Sequence, residues 1–176
     1  MKIKSGLYGD IQNSTEMIES DLKTIEDIHG TPISPQWQAE FRGFFWGEGM
    51  LTMQRTRKTN GGWGGFAVYC RITLRSDDRK ILDEFSNRLG GLVRDIKGPE
   101  KSKPIVQWQV STIEECIRIA GLLEDSEFSP RKGNQLNLWR ACLELKKNKG
   151  LAHWRGEELE FMRKASDELK QLKKFE

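Results

Sequence analysis

The feature that most constrains the fold is an order of elements that occurs twice in succession. Between residues 35 and 145, a stretch with helical periodicity precedes two stretches with strand-like alternation; this order repeats once, and a further helical stretch follows. Strands joined by short polar turns pair as antiparallel hairpins. Helices that separate two hairpins pack on one face of the sheet and leave the other open. The sequence therefore predicts an α+β fold with the order αββαββα and a four-stranded antiparallel sheet with helices on one face.

Local signals set the boundaries of these elements. The first helix begins at Ser34-Pro35, because proline fits the first turn of a helix, and its apolar face carries Trp37, Phe41, Phe44 and Phe45. The predicted strands are residues 50–57, 66–75, 92–97 and 104–110. The second helix is predicted to be capped by Ser76 and ended by Gly90. Further helices are predicted after a capping box at residues 112–115, over residues 134–145 and over residues 156–174.

The same patterns divide the chain into three parts. Residues 1–34 are expected to form an N-terminal extension with a short helix that begins at Asn13. Residues 35–147 form the core domain, and residues 148–176 form a C-terminal helical extension.

Composition excludes several kinds of site and of location. The 176 residues include three cysteines, without a C-x-x-C pair, and two histidines, so neither a disulfide framework nor a zinc site is expected. Apolar runs are too short to cross a bilayer, and the N-terminus lacks the apolar stretch of a signal peptide. We therefore expect an intracellular protein, in the cytoplasm of a bacterium or phage host or in an organelle, with neither a membrane nor a small molecule as its partner.

Charge distribution indicates a polyanionic partner more strongly than net charge does. The formal net charge is only +3. Basic residues nevertheless cluster at Arg55, Arg57 and Lys58, at Arg71 and Arg75, at Lys97, Lys101 and Lys103, and at Arg131 and Lys132. A nucleic acid would account for these clusters, and an ordinary solvated surface is the alternative.

Residues 41–49 (FRGFFWGEG) combine a glycine-notched helix with an acid at its end. Gly43 and Gly47 are four residues apart, on one side of the helix, where a second backbone could approach closely. Packing of Gly43 against the chain's own core is the alternative. A two-fold axis through such a helix crossing would bring two copies of Glu48 together, and paired carboxylates of this kind suit Mg²⁺. The dimer interface is therefore predicted to contain Phe41, Gly43, Phe44 and Gly47.

This segment resembles the LAGLIDADG signature in its variant G-F-x-x-G-E-G, and the resemblance extends over residues 35–145. Shorter matches occur at residues 81–83 (ILD), 93–95 (VRD) and 135–138 (QLNL). The resemblance implies a homing-endonuclease fold and a homodimeric enzyme with one motif per chain. It also implies a catalytic Glu48 that holds Mg²⁺, or Ca²⁺ or Mn²⁺ as its substitute, together with the backbone carbonyl of Gly47. Residues 128–138 (FSPRKGNQLNL) resemble the family segment that supplies a lysine just before the late helix, which implies a second catalytic role for Lys132. A lysine that only contacts phosphate, or that is merely solvated, is the alternative.

One part of the sequence departs from the family's pattern. Leu74 stands where the family often has a polar residue at the end of the second strand, and Asp78 stands where a basic residue is frequent. Three arginines lie close by in sequence and could substitute for them, namely Arg71, Arg75 and Arg79.

Strand alternation, counted from Glu48, assigns polar residues to the open face of the sheet. The predicted DNA-binding residues are Thr52, Gln54, Thr56 and Lys58, then Arg71, Thr73 and Arg75, then Arg94, and finally Gln107 and Gln109. Such side chains suit base edges in the major groove, whereas Lys97, Lys101 and Lys103 suit phosphates.

The sequence therefore predicts a site-specific homing endonuclease that makes a metal-dependent double-strand break in a long, roughly palindromic DNA target. The first alternative is a catalytically inactive member of the same fold that acts as a DNA-binding regulator or as a cofactor of intron RNA splicing. The presence of Glu48 favours a cleaving enzyme over this alternative. The second alternative is a helical interaction module whose tryptophans and phenylalanines are simply core.

Overall fold

The computed structural model describes residues 25–57, 63–97, 103–124, 129–149 and 156–173. The helix predicted from Asn13 and the basic residues Lys58 and Lys101 lie outside these ranges. Within them, no helix combines the length and the apolar composition that crossing a bilayer requires.

The described elements follow the predicted order. They are α1 (Pro35–Glu48), β1 (Gly49–Arg57), β2 (Trp63–Arg75), a 3₁₀ turn (Ser76–Asp78), α2 (Arg79–Leu89), β3 (Leu92–Ile96), β4 (Ile105–Val110), α3 (Ile113–Leu123), α4 (Pro130–Lys149) and α5 (Gly156–Lys173). The four strands form one antiparallel sheet in the order β1-β2-β4-β3. The predicted α+β class and αββαββα order are confirmed, and the sheet excludes a purely helical interaction module.

Two of the three predicted helix caps are present. The hydroxyl of Ser34 accepts a hydrogen bond from the backbone N–H of Trp37, and Pro35 occupies the first turn of α1. The hydroxyl of Thr112 likewise caps α3. The prediction for Ser76 was wrong, because the chain first makes a 3₁₀ turn there and no side chain caps α2.

The turn between α2 and β3 is fixed from both sides. Gly90 and Gly91 have φ values of +84° and +81°, which residues with a Cβ rarely adopt. The carboxylate of Glu115 accepts a hydrogen bond from the backbone N–H of Gly91 at 3.1 Å. The indole Nε1 of Trp108 donates to the carbonyl of Gly90 at 2.8 Å. These contacts hold β3, and with it Arg94, in place relative to β4.

The hydrophobic core lies between the sheet and its helices. Phe41 and Phe85 make edge-to-face contacts with each other, and both rings contact Trp108 of β4. Apolar side chains of the last helix join the same core, because Met162 and Leu169 of α5 are fully buried. Most of the tryptophans and phenylalanines whose side chains the structure describes are therefore buried in the core or packed against it, while the opposite face of the sheet keeps its polar side chains.

Candidate nucleic-acid interface and catalytic site

The exposed side of α1 carries two glycines that its own chain does not explain. Gly43 and Gly47 are both exposed, and a Cβ built on either would meet no heavy atom within 4 Å in the described part of the chain. Packing of Gly43 against the chain's own core, the alternative left open by the sequence, is therefore not found among the described residues. A helix-interior glycine costs about 1 kcal/mol relative to alanine. These two glycines leave a shallow notch that faces away from the core.

The two aromatic residues predicted beside this notch, Phe41 and Phe44, differ from each other in how deeply they are buried. Phe41 is 1% exposed and lies inside the core, with its ring stacked on that of Trp37 at 5.4 Å. The prediction that Phe41 lies in a dimer interface was therefore wrong, because a second chain could not reach its side chain. Phe44 is half-buried and touches Phe85 edge-to-face, so part of its ring stays accessible.

Glu48 is the last residue of α1 and is exposed. Among the described residues, none donates a hydrogen bond to its carboxylate or forms an ion pair with it. The negative end of the helix dipole disfavours an acid at this position. The helix end also leaves carbonyl groups without intrahelical partners. One of the last carbonyls, that of Phe45, accepts a hydrogen bond from the backbone N–H of Gly49. Glu48 and the carbonyl of Gly47 thus offer hard oxygen donors at one exposed point.

Two basic side chains approach this end of α1 from different elements. The ammonium of Lys132, on the first turn of α4, lies 6.0 Å from the ring centroid of Trp46, which is two residues before Glu48. The guanidinium of Arg71 on β2 lies 3.6 Å from the sulfur of Met50, two residues after Glu48. The fold thus brings Lys132 from the late helix to the neighbourhood of the motif.

For the residues that the structure describes, the strand register confirms the predicted assignment of side chains to the open face. Cross-strand pairs place Thr73 beside Gln107, and Gln107 beside Arg94, on three adjacent strands. The same face continues on β1 with Thr52, Gln54 and Thr56. Among the strand residues of this face that the structure describes, none is acidic, whereas Arg71, Arg75 and Arg94 are basic.

Two predicted DNA-binding residues lie on this face but are buried. Thr52 is 8% exposed and stands beside Tyr69, and Gln107 is 6% exposed between Thr73 and Arg94. Because both side chains are buried, the prediction that they contact DNA directly is corrected. The remaining described members are exposed or half-buried, and they are Gln54, Thr56, Arg71, Thr73, Arg75, Arg94 and Gln109.

Sequence reasoning missed Tyr69 on the same face. Its hydroxyl donates a hydrogen bond to the side-chain oxygen of Gln54 at 3.2 Å, which orients that amide. Tyr69 is two residues before Arg71 on β2, so the strand alternation that located Arg71 would also have located it.

Several charges near the sheet are engaged by protein rather than available to a ligand. Arg55 lies on the helix-facing side of β1 and pairs with Asp167 of α5 at 2.8 Å. Arg79, one of the proposed substitutes near Asp78, pairs with Asp95 at 2.9 Å. Leu74 packs against the core rather than on the open face. Lys97 and Lys103 are exposed at the outer ends of β3 and β4, where a phosphate could reach them.

The acidic, histidine and cysteine side chains that usually form metal sites are scattered in the part of the chain that the structure describes. Within the described ranges, no three His, Cys, Asp or Glu residues are close enough to hold an ion together. The three cysteines are buried as free thiols, and burial raises the pKa of Cys116 and of Cys142 to about 12. A divalent ion at Glu48 would therefore not be held by three acidic, histidine or cysteine side chains of the described residues.

Known proteins that are similar to this chain were found by comparison with solved structures. No protein-family model matches the sequence, and no curated protein matches it. The homing endonuclease I-TnaI is similar, with a TM-score of 0.60 and 17% identity over 80% of this chain and 95% of its own. An archaeal intron-encoded homing endonuclease complexed with DNA has a TM-score of 0.63 and 19% identity over 78% of this chain and 84% of its own.

A third similar structure is longer than this chain. I-SmaMI, a LAGLIDADG homing endonuclease bound to cleaved DNA, has a TM-score of 0.62 and 17% identity over 98% of this chain but 55% of its own. This chain thus spans about half the length of I-SmaMI and most of the length of the other two proteins. With the element order, the sheet topology and the position of the motif, these similarities show that the chain has the fold of the LAGLIDADG homing endonucleases.

Proposed function

We propose that this protein is a site-specific homing endonuclease that acts as a homodimer and makes a Mg²⁺-dependent double-strand break in a long, roughly palindromic DNA target. The observation that carries the proposal is the position of Glu48. Its carboxylate is exposed, has no protein partner in the described part of the chain, and stands between a glycine-notched helix and a basic sheet face. DNA-bound members of the same fold support the choice of substrate.

The open face suits a DNA duplex in shape and in charge. A sheet of antiparallel strands can enter the major groove, where each base pair presents its own pattern of donors and acceptors. The described strand residues on this face include arginines and amides but no carboxylate. Phosphate attraction therefore meets no carboxylate from the described strand residues of this face, although Arg75 is paired with Asp77 of the following 3₁₀ turn. Such binding weakens steeply as salt rises, because neutralised phosphates release counterions.

The notch on α1 supports a symmetric dimer. Gly43 and Gly47 are the two positions of α1 that let another backbone approach closely, and no side chain of the described residues fills the space above them. A two-fold contact uses the same patch on both chains. Crossing of two α1 helices at this notch would bring both copies of Glu48 near the axis.

The donors at this point fit a hard divalent cation. Mg²⁺ prefers oxygen ligands; it usually keeps several waters and is bound through about one or two protein carboxylates together with substrate phosphates. Glu48 of each chain, with the carbonyl of Gly47, would hold it. When bound, Mg²⁺ supplies positive charge that stabilises a phosphodiester under attack and lowers the pKa of water. I-SmaMI has been solved on its uncleaved DNA target in the presence of calcium ions.

Lys132 is assigned the second catalytic role. Its ammonium lies over Trp46, close in the fold to the end of α1. A cation there would offset charge that develops on the phosphate or orient the attacking water. Lys132→Met should therefore reduce the cleavage rate more than it weakens DNA binding.

The proposal is tested by selection followed by cleavage. Randomised duplexes retained by the protein in calcium would be cloned, and the selected pool would then be incubated with Mg²⁺ or with a chelator. Double-strand breaks in Mg²⁺ at the centre of a roughly palindromic consensus, and none with the chelator, are expected. Retention of duplexes without breaks in any divalent metal would contradict the nuclease assignment and favour a DNA-binding regulator. Failure to retain any duplex would contradict both.

A further inference from the structure

Four side chains on the open face form a continuous hydrogen-bonded group across three strands, which we name the Arg94 network. The Nη2 of Arg94 donates to the side-chain oxygens of Gln107, at 3.1 Å, and of Gln109, at 3.0 Å. The amide nitrogen of Gln107 donates to the hydroxyl oxygen of Thr73 at 3.1 Å. The network therefore links β2, β4 and β3.

Arg94 fixes the direction of every bond in this network. A guanidinium only donates, so the carbonyl oxygen of each glutamine must turn toward it. Gln107 then has its NH₂ group toward Thr73. Because Gln107 is only 6% exposed and both ends of its amide are engaged, it supports its neighbours and does not reach into a groove.

The exposed atoms of the network are mostly donors. Arg94 has five N–H groups, of which the two on Nη2 are used within the network. Among the described residues, none accepts from its other three N–H groups or from the NH₂ group of Gln109. Two adjacent side chains, one exposed and one half-buried, thus present N–H groups side by side.

We propose that Arg94 and Gln109 select guanine at one position of each half-site, and that Gln107 is the residue that positions them. This inference rests on the proposed function. Guanine is the base whose major-groove edge offers two neighbouring acceptors, O6 and N7, whereas cytosine presents a donor there. A pair of fixed donors therefore matches guanine and opposes cytosine.

The expected preference follows from the strength of such contacts. A good bidentate contact contributes about 1–3 kcal/mol of discrimination, which corresponds to roughly 5- to 140-fold. Guanine should exceed the other bases by this factor at one position of each half-site in the selected pool. Arg94→Met should remove the preference at that position and leave the rest of the consensus unchanged.

Variants of Gln107 separate positioning from a merely structural role. Gln107→Leu removes the acceptor for Arg94, so the guanine preference should fall toward unity although Gln107 itself touches no base. Gln107→Glu keeps an acceptor for Arg94 and should retain the preference. Thr56→Val is the matched control, because Thr56 lies on the same face of β1 but outside the network. It should leave the guanine position unaffected.

Each outcome bears on the inference. Circular dichroism first shows that each variant is folded. An enriched consensus that keeps the same guanine with Arg94→Met, or one that Gln107→Leu and Gln107→Glu change equally, would overturn the inference and leave the proposed function standing. A wild-type pool with no enrichment would overturn both, since no duplex would then be recognised.

Discussion

Replacement of Gly43 by alanine should have opposite effects on the single chain and on its dimer. In the isolated chain the new methyl group meets no heavy atom within 4 Å in the described residues. Alanine is about 1 kcal/mol more favourable than glycine in a helix interior. For a chain of this length, that gain corresponds to a rise of about 2–4 °C in Tm. At concentrations where the protein is monomeric, Gly43→Ala should therefore be the more stable form.

In the dimer the same methyl group would stand between two crossing helices. Overpacking of a close contact costs about 1–3 kcal/mol, which would raise the dissociation constant of the dimer roughly 5- to 140-fold. Analytical ultracentrifugation over a dilution series measures that constant, and thermal unfolding at several protein concentrations measures stability, which depends on concentration for a dimer.

Gly133→Ala is the matched control for this prediction. Gly133 is also a helical glycine, on α4, and a Cβ there meets no heavy atom within 4 Å in the described part of the chain. It should stabilise the chain and leave the dissociation constant unchanged. If Gly43→Ala behaves in the same way as Gly133→Ala in both measurements, α1 does not cross a second helix at Gly43, and the reasoning is refuted.

Three further predictions concern pH and charge. Burial raises the pKa of Cys116 and Cys142 to about 12. The stability that these thiols contribute is therefore complete below their unfolded-state pKa and is lost as pH rises from about 9 to about 12. Urea titrations at several pH values should show this decline in the free energy of unfolding, and Cys142→Ala should lessen its slope. Asp27 has its pKa lowered, chiefly by the backbone N–H of Thr31. Asp27→Asn should therefore destabilise the chain at neutral pH and matter less below about pH 4, as comparison of Tm values in both buffers would show. Arg55→Ala should cost at most about 1 kcal/mol in urea unfolding, because its ion pair is exposed; a larger loss would show that the pair is not an ordinary surface one.

Strand faces were predictable from the sequence because alternation in a strand depends only on residue parity. Counting from Glu48 therefore placed Thr52, Gln54 and Thr56 on one face of β1, and the alternation within β3 and β4 grouped the polar residues Arg94 and Gln109 on the open face without knowledge of the strand order. Accessibility was not predictable in the same way. Gln107 is covered by Thr73 and Arg94, which come from other strands, and their register is a property of the folded sheet.

For helix α1, too, the residue pattern was predictable from the sequence, whereas the burial of one residue was not. Its apolar stripe and its glycines are visible in the sequence, and the exposed glycine notch agrees with that pattern. The error at Phe41 arose because one residue of the apolar stripe was assigned both to the core and to an interface. Phe41 lies at the centre of the stripe and contacts Trp108, whose ring arrives from β4. Such a long-range contact has no local signal.

Polar contacts between residues far apart in the chain could also not be predicted from the sequence. The Glu115 carboxylate accepts hydrogen bonds both from the hydroxyl of Thr112, at the start of its own helix, and from the backbone N–H of Gly91, and the capping box predicted only a contact within its own helix. The approach of Lys132 to Trp46 depends on how α4 packs on the rest of the fold, and residue periodicity gives no signal for it; only the resemblance to a family drew attention to Lys132.

The most direct test of the central claim is cleavage of a selected DNA target by Glu48→Gln, with binding measured on the same preparation. We expect affinity to change by only a few-fold, while double-strand cleavage falls by several orders of magnitude, because charge stabilisation by a bound metal supplies several kcal/mol. Glu168→Gln, which changes an exposed carboxylate on α5, should cleave like the wild type. Undiminished cleavage by Glu48→Gln would remove this carboxylate from catalysis and contradict the account.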